Sequence, residues 1–189
     1  MAWTAANPVS VGDPTKKTHY DALWDNAQYN KDTFEVEHSS AGGHNKTGMV
    51  LQTIEATPYT TVTTSTASFP YDNTIPQQSE GVELLNVTIT PGDVANRLRI
   101  EVELNFLMAN INCAVALFQD SGANAIAVAT EAANNMIVHE MAAGTTSPTT
   151  FKLRIGKLGA GTIWLNQSSA AVTLGGASAL RMRVIEIKG

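Results

Sequence analysis

Cysteine is nearly missing from this sequence: Cys113 stands alone in 189 residues, which excludes an intrachain disulfide and any multi-cysteine metal site. Charge is scarce too, at 15% of residues, and it leans acidic, with 12 Lys and Arg against 17 Asp and Glu for a formal net charge of -5. Nucleic acid is therefore not an expected partner, because phosphate binding needs clustered Lys and Arg to displace counterions. Long apolar runs are absent as well. Phe106 to Ala129 is the longest weakly charged stretch, and Asn110, Asn112, Gln119, Asp120 and Ser121 break it short of the roughly 20 apolar residues that a bilayer span needs. No membrane insertion is expected. The opening, Met1 to Asn7, has neither a basic region nor an apolar core, so it does not read as a secretory signal and synthesis in a cytosol is expected.

Catalytic signatures are equally thin. The four histidines, His19, His38, His44 and His139, form no His-Glu-x-x-His pair, and there is no Gly-x-Ser-x-Gly elbow or phosphate loop. Glu101 and Glu103 are the one carboxylate pair to weigh for hydrolysis; two apart on an extended strand, they share a face, and the simplest expectation is a solvated one. Cys113 has the parity of Ile111, Val115 and Leu117, which predicts core filler rather than a nucleophile. The sequence thus points to a protein that is not an enzyme, with no cofactor and no metal, His38 and His44 reading as plain loop histidines.

What is present divides into an N-terminal helix and a long series of strands. Asp13 followed by Pro14 supplies a carboxylate N-cap and a fixed-φ first residue. From there Tyr20, Leu23, Trp24, Ala27 and Phe34 recur at spacings near three and four, predicting a helix over about 14–36 with a narrow apolar stripe. A stripe with nothing nearby to cover it needs copies of itself or a larger scaffold, so these five residues are the expected stem packing and attachment surface. The segment 1–48, ending in a Gly- and His-containing joint, is read as the attachment piece. Residues 49–68 are rich in threonine and read either as a linker or as a first strand. The compact head is expected over 69–189.

In that head, strands are expected near Glu83–Thr90, Arg97–Met108, Ile111–Phe118, Ala125–Ala129, Met136–Met141, Thr149–Ile155, Thr162–Asn166 and Leu180–Ile187. Turn chemistry separates them at Pro91-Gly92-Asp93, Ser121-Gly122, Ala143-Gly144, Gly159-Ala160-Gly161 and Gly175-Gly176. Many short strands with no helical period between them indicate a mainly β fold, an antiparallel β-sandwich or jelly roll. Arg97, Arg99, Lys152, Arg154, Arg181 and Arg183 alternate along these strands and are expected at solvated positions or in cross-strand pairs. Low charge and many small residues, as in Ala123 to Ala133, suggest that some outer sheet faces are covered by a partner, most simply another copy of the chain.

Several motifs carry a resemblance. Trp3 with Asn7-Pro8-Val9, then Val11-Gly12-Asp13, Tyr20-Asp21-Ala22-Leu23-Trp24-Asp25-Asn26, and later His38 and Gly42-Gly43-His44, resemble the N-terminal segment of many bacteriophage tail-fibre and head-fibre proteins. A second series comprises Thr74 to Glu83, Ile89-Thr90-Pro91, Ala116 to Asp120, Thr150 to Gly156, and Gly175-Gly176. It is similar to a small phage structural domain with a tumour-necrosis-factor-like trimeric jelly-roll fold. The resemblance implies a homotrimeric virion appendage made in the bacterial host cytoplasm. Its helical stem would dock on other virion proteins of the capsid or tail, and its jelly-roll head would be displayed toward the host. At 189 residues there is no room for a long repetitive shaft, so a short fibre, spike or capsid decoration protein is expected. Two other readings stay open: a carbohydrate-binding head that stacks exposed Tyr71 or Trp164 on a host-surface glycan, and a glycan-degrading enzyme. Trp164 lies out of phase with Ile163 and Leu165, so either it or they face outward.

Overall fold

A computed structural model describes residues 23–31, 46–60, 63–104, 112–130, 136–165 and 179–189. The chain divides into two compact units, one of Met1–Met49 with Lys188, the other of Val50–Ile187 with Gly189. In the first unit, residues 23–31 are helical (α1). On α1, Leu23, Trp24 and Ala27 are exposed and Asn26 is buried. Tyr20 and Phe34, and the rest of the expected helix, lie outside the described residues.

The second unit is mainly β, and all its strand pairs are antiparallel. Among the described residues ten strands run in chain order: β1 Val50–Glu55, β2 Thr63–Ser65, β3 Val82–Ile89, β4 Arg97–Glu103, β5 Cys113–Gln119, β6 Ala127–Thr130, β7 Met136–Ala142, β8 Thr149–Lys157, β9 Ile163–Leu165 and β10 Arg181–Ile187. One four-stranded sheet has the order β1-β10-β4-β7, a second the order β3-β8-β5-β6, and β2 pairs with β9. The compact unit therefore begins with β1, which pairs with β10 over Glu55↔Arg183 and Val50↔Ile187, and not near Phe69. Of the two readings of 49–68, the structure takes the first strand. Leu51, Ile54 and the β-branched threonines suit an edge strand with a half-wet face.

Inward side chains of both sheets meet in one core, the arrangement of a β-sandwich. Val87 and Ile89 of β3, Leu98, Ile100 and Val102 of β4, Val115 and Leu117 of β5, Phe151, Leu153 and Ile155 of β8, and Met182 and Val184 of β10 are all buried there. Cys113 is buried in the same cluster, as its parity with Val115 and Leu117 predicts. Ile111 lies outside the described residues. Alternation accounts for most of these elements, since period-2 patterning puts one set of side chains in the core and the other outside.

β5 breaks that pattern, with six consecutive buried residues from Cys113 to Phe118. Its outward residues Ala114, Ala116 and Phe118 form a second, smaller apolar cluster with Phe69. The strap of chain between β2 and β3 makes this possible by folding over the outer face of the β3-β8-β5-β6 sheet. It is tied down by main-chain hydrogen bonds: Phe69 N donates to Lys157 O at 3.0 Å, Lys157 N to Ala67 O at 3.0 Å, Gln78 N to Ala123 O at 2.7 Å and Ala125 N to Pro76 O at 3.0 Å. Side chains add to it. Arg154 Nε donates to Glu80 O at 2.8 Å, and Lys152 Nζ to Gln78 Oε1 at 2.9 Å. Gly81, with φ of +62°, lets the strap turn into β3 beneath the Phe69 ring. The low charge of this sheet face therefore reflects cover by the chain's own strap, and no second copy is needed to explain it.

Candidate functional site

The other outer face, that of β1-β10-β4-β7, is crossed by no strap among the described residues, and it carries the main concentration of charge in the described head. Register places Arg183 opposite both Glu101 and Glu55, Arg181 opposite Glu103, and Arg99 opposite Glu140. Two guanidinium groups grip Glu101. Arg183 donates from Nε to Oε2 at 2.6 Å, its Nη2 lies 2.6 Å from the same oxygen, and Arg99 Nε lies 2.8 Å from Oε1. The Arg99 contact is an ion pair without an aligned hydrogen bond, since its Nε–H has no acceptor in line. Glu140 extends the chain of charges, at 3.8 Å from Arg99 and 3.4 Å from Arg97. Hydrogen bonding and attraction to Glu101, helped by Glu103 and Glu55, hold the Arg183 proton more tightly than usual.

Glu101 and Glu103 do share one face, but that face is not simply solvated, because Glu101 is only 8% exposed. Both its oxygens lie against arginines, an arrangement that locks β10 to β4. Beside it lies a shallow cleft of about 140 Å³ floored by Met182 and rimmed by Glu55, Ala56, Pro58, Glu103 and Arg181. Of the basic residues of the strands, Arg97, Arg99 and Arg183 meet carboxylates as above and Arg154 Nη1 meets Glu83 at 3.5 Å, whereas Lys152 bonds to Gln78 and Arg181 is exposed.

A second polar centre was not legible in the sequence. Glu186 follows the parity of Met182 and Val184, so it points inward at one end of the sandwich and is 1% exposed. Its Oε1 accepts hydrogen bonds from Gly92 N at 2.8 Å and Asn96 Nδ2 at 2.5 Å, and its Oε2 from Gln52 Nε2 at 2.5 Å. Burial disfavours the charged form, yet these donors, with the Asp93 backbone, outweigh it and hold the carboxyl below its ordinary range. The group is a structural clasp joining β1, β10 and the β3–β4 turn. Strict parity with Leu180, Met182 and Val184 was the signal that would have found it.

The remaining expected residues are dispersed. Tyr71 is 83% exposed on the strap. Trp164 is half-exposed between the buried Ile163 and Leu165, so the aliphatic pair faces the core and the indole faces out, paired across from Thr64. His139 is half-buried on β7 opposite Ile100, and His19, His38 and His44 lie outside the described residues. Among the described residues no group of three or more His, Cys, Asp or Glu is placed to hold a metal ion, and no helix is long and apolar enough to cross a membrane. Compared with known proteins, the chain matches no family model and no curated protein.

Proposed function

We propose that this chain is a structural protein of a bacteriophage virion, a short trimeric fibre, spike or capsid decoration element, with no catalytic role. The observation that carries the reading is the strand order. With the short β2–β9 pair set aside, the remaining eight strands in chain order are β1, β3 to β8 and β10, and the two sheets then run 1-8-3-6 and 2-7-4-5. This order supports a jelly-roll reading, in which two Greek keys wrap into facing sheets. It agrees with the resemblance carried by Thr74 to Glu83 and Thr150 to Gly156, and the motifs from Trp3 to Asn26 supply the attachment segment. Exposure of Leu23, Trp24 and Ala27 on α1 suits a stem whose apolar stripe is covered by other copies or by capsid or tail proteins.

In this reading the protein is made in the bacterial cytoplasm and works on the virion, where the stem anchors and the head is displayed. Light scattering on the full-length chain tests it. A mass about three times the 20.1 kDa chain is expected, and a monomer overturns the trimeric appendage. One observation favours a second reading, a glycan-binding head: Tyr71 is 83% exposed on a strap otherwise pinned by hydrogen bonds, a preformed aromatic face for a sugar ring. Binding to a glycan array that is lost in Tyr71→Ala would support that alternative.

A further inference from the structure

The strap between β2 and β3 is held to the sheet at two separate places. Its two legs meet at one root, where Gly81 N donates to Ser68 O at 3.2 Å and Phe69 N donates to Lys157 O at 3.0 Å. Phe69 pins that root, its ring lying where a β-carbon on Gly81 or Gly156 would stand. Arg154 adds to it, donating from Nε to Glu80 O at 2.8 Å and from Nη2 to Gly81 O at 3.0 Å. Beyond the root, Pro70 to Ile75 are all exposed and make no hydrogen bond to the sheet among the described residues.

The second place is the β5–β6 turn. Gln78 N donates to Ala123 O at 2.7 Å and Ala125 N to Pro76 O at 3.0 Å. Side chains form a latch around these bonds. Gln78 Nε2 donates to Gly122 O at 2.8 Å and to Asp120 O at 3.1 Å, Gln78 Oε1 accepts from Lys152 Nζ at 2.9 Å, and Gln77 Nε2 donates to Asn124 Oδ1 at 2.8 Å. The Gln78 carboxamide thus commits its donors and its acceptor to the closed position.

Other bonds of the segment are internal. Thr74 N donates to Asp72 Oδ1 at 2.8 Å, Gln77 N to Glu80 Oε2 at 2.8 Å and Glu80 N to Gln77 O at 2.9 Å, so its shape is set by local turns that do not need the sheet. What it covers is also separate: Ala114, Ala116 and Phe118 form their cluster with Phe69 on the outside of the sheet, apart from the core between the sheets. Segments with few buried contacts and exposed hydrogen bonds open on their own, at lower cost than the whole fold.

We propose that residues 70–80 are a latched lid, which swings on the root at Ser68 and Gly81, is held shut by Gln78, and opens to expose Ala116 and Phe118 while the sandwich stays folded. This goes beyond the structural reading above and stands whether or not the chain is a trimer. Opening breaks the bonds at the β5–β6 turn and leaves those at the root, where Gly81, already at a φ of +62°, absorbs the change in backbone angle.

Hydrogen exchange on the full-length protein, read residue by residue by NMR, tests the lid. In the wild type the Gln78 and Ala125 amides, which bond across the latch, are expected to exchange together and faster than the amides of the β4–β10 ladder and of Phe69 and Lys157 at the root, with rates insensitive to low urea. Gln78→Ala is expected to speed exchange at Ala125 about tenfold and to leave the root and ladder amides unchanged. Latch amides that exchange at the ladder's rate and with its urea dependence overturn the lid. A folded Gln78→Ala with an unchanged Ala125 rate, or one that speeds root, latch and ladder equally, overturns the latch, the latter because Gln78 would then be a general support of the fold. Should Gln78→Ala fail to fold, the wild-type rates and their urea dependence decide alone.

Discussion

A β-carbon placed on Gly156 would lie 2.6 Å from the Phe69 ring and 2.7 Å from the Phe69 backbone nitrogen. The ring can swing away from such an atom, but the backbone nitrogen is fixed by its bond to Lys157 O. Gly156→Ala is therefore expected to destabilise the head by about 1–3 kcal/mol, the cost of overpacking a tight site, read as a fall in the urea midpoint.

Phe69 is 1% exposed and closes the second apolar cluster, whereas Tyr71 two residues on is 83% exposed. Phe69→Ala is expected to cost about 3–5 kcal/mol through lost burial and the cavity it leaves. Tyr71→Ala is expected to stay within about 0.5 kcal/mol of wild type. Equal effects in chemical denaturation would show that the strap does not seal the sheet.

The Glu186 clasp makes stability depend on acidity in a defined direction. Its carboxyl is held below the ordinary value of 4.5, so the folded state binds its proton less readily than the unfolded state does. The resulting stability is fully present above about pH 4.5 and is lost as pH falls through the lower, folded value. Glu186→Gln is expected to cost about 1–3 kcal/mol at neutral pH, by weakening hydrogen bonds from buried donors. The gap between variant and wild type should then narrow below pH 4.5. A gap that is constant from pH 7 to pH 3 would assign Glu186 no role in acid sensitivity.

Glu101 and Glu140 both meet arginines, but only Glu101 is buried. Glu101→Gln is expected to cost about 1–3 kcal/mol, because it removes a charged acceptor from two guanidinium groups that stay behind. Discounted for its exposed partners, the Arg97 to Glu140 contact at 3.4 Å is expected to contribute no more than about 0.5 kcal/mol. Thermal unfolding of Glu101→Gln and Arg97→Ala, in low and high salt, separates the two.

Trp24 is 72% exposed and Leu23 59% exposed on α1. The double variant Leu23→Ser, Trp24→Ser is expected to leave the melting of the head unchanged, since neither side chain is buried, and, on the function proposed above, to reduce association with the virion. A head that unfolds in this variant would show that the stem contributes to its core.

Strand positions were largely written in the sequence. The pattern from Arg97 to Glu103 and from Arg181 to Ile187 alternates, and among the described residues the strands stand within a few residues of expectation, the end of the strand expected over Arg97–Met108 lying outside them from residue 105 on. Turns announced themselves through Pro91-Gly92-Asp93 and Ala143-Gly144, where local backbone chemistry suffices. Harder to see was the phase at the chain's end. Ile185 reads as core and Glu186 as surface by composition, yet parity sends Ile185 out among the arginines and Glu186 in. Hydrophobicity of one residue is a weaker constraint than the two-residue period of the strand, because a slip would turn Met182 and Val184 to water.

By itself, then, the sequence determined most of the strands, the alternation along them and the single cysteine's place in the core, all of them consequences of local geometry and period. Only the tertiary structure decided which faces are covered. Ala114 and Ala116 are buried because a strap more than thirty residues earlier lies over them, and the β1-β10-β4-β7 face is open because no strap reaches it among the described residues. Burial of an outward residue depends on what the chain brings back from a distance, and no local pattern in the strand records that.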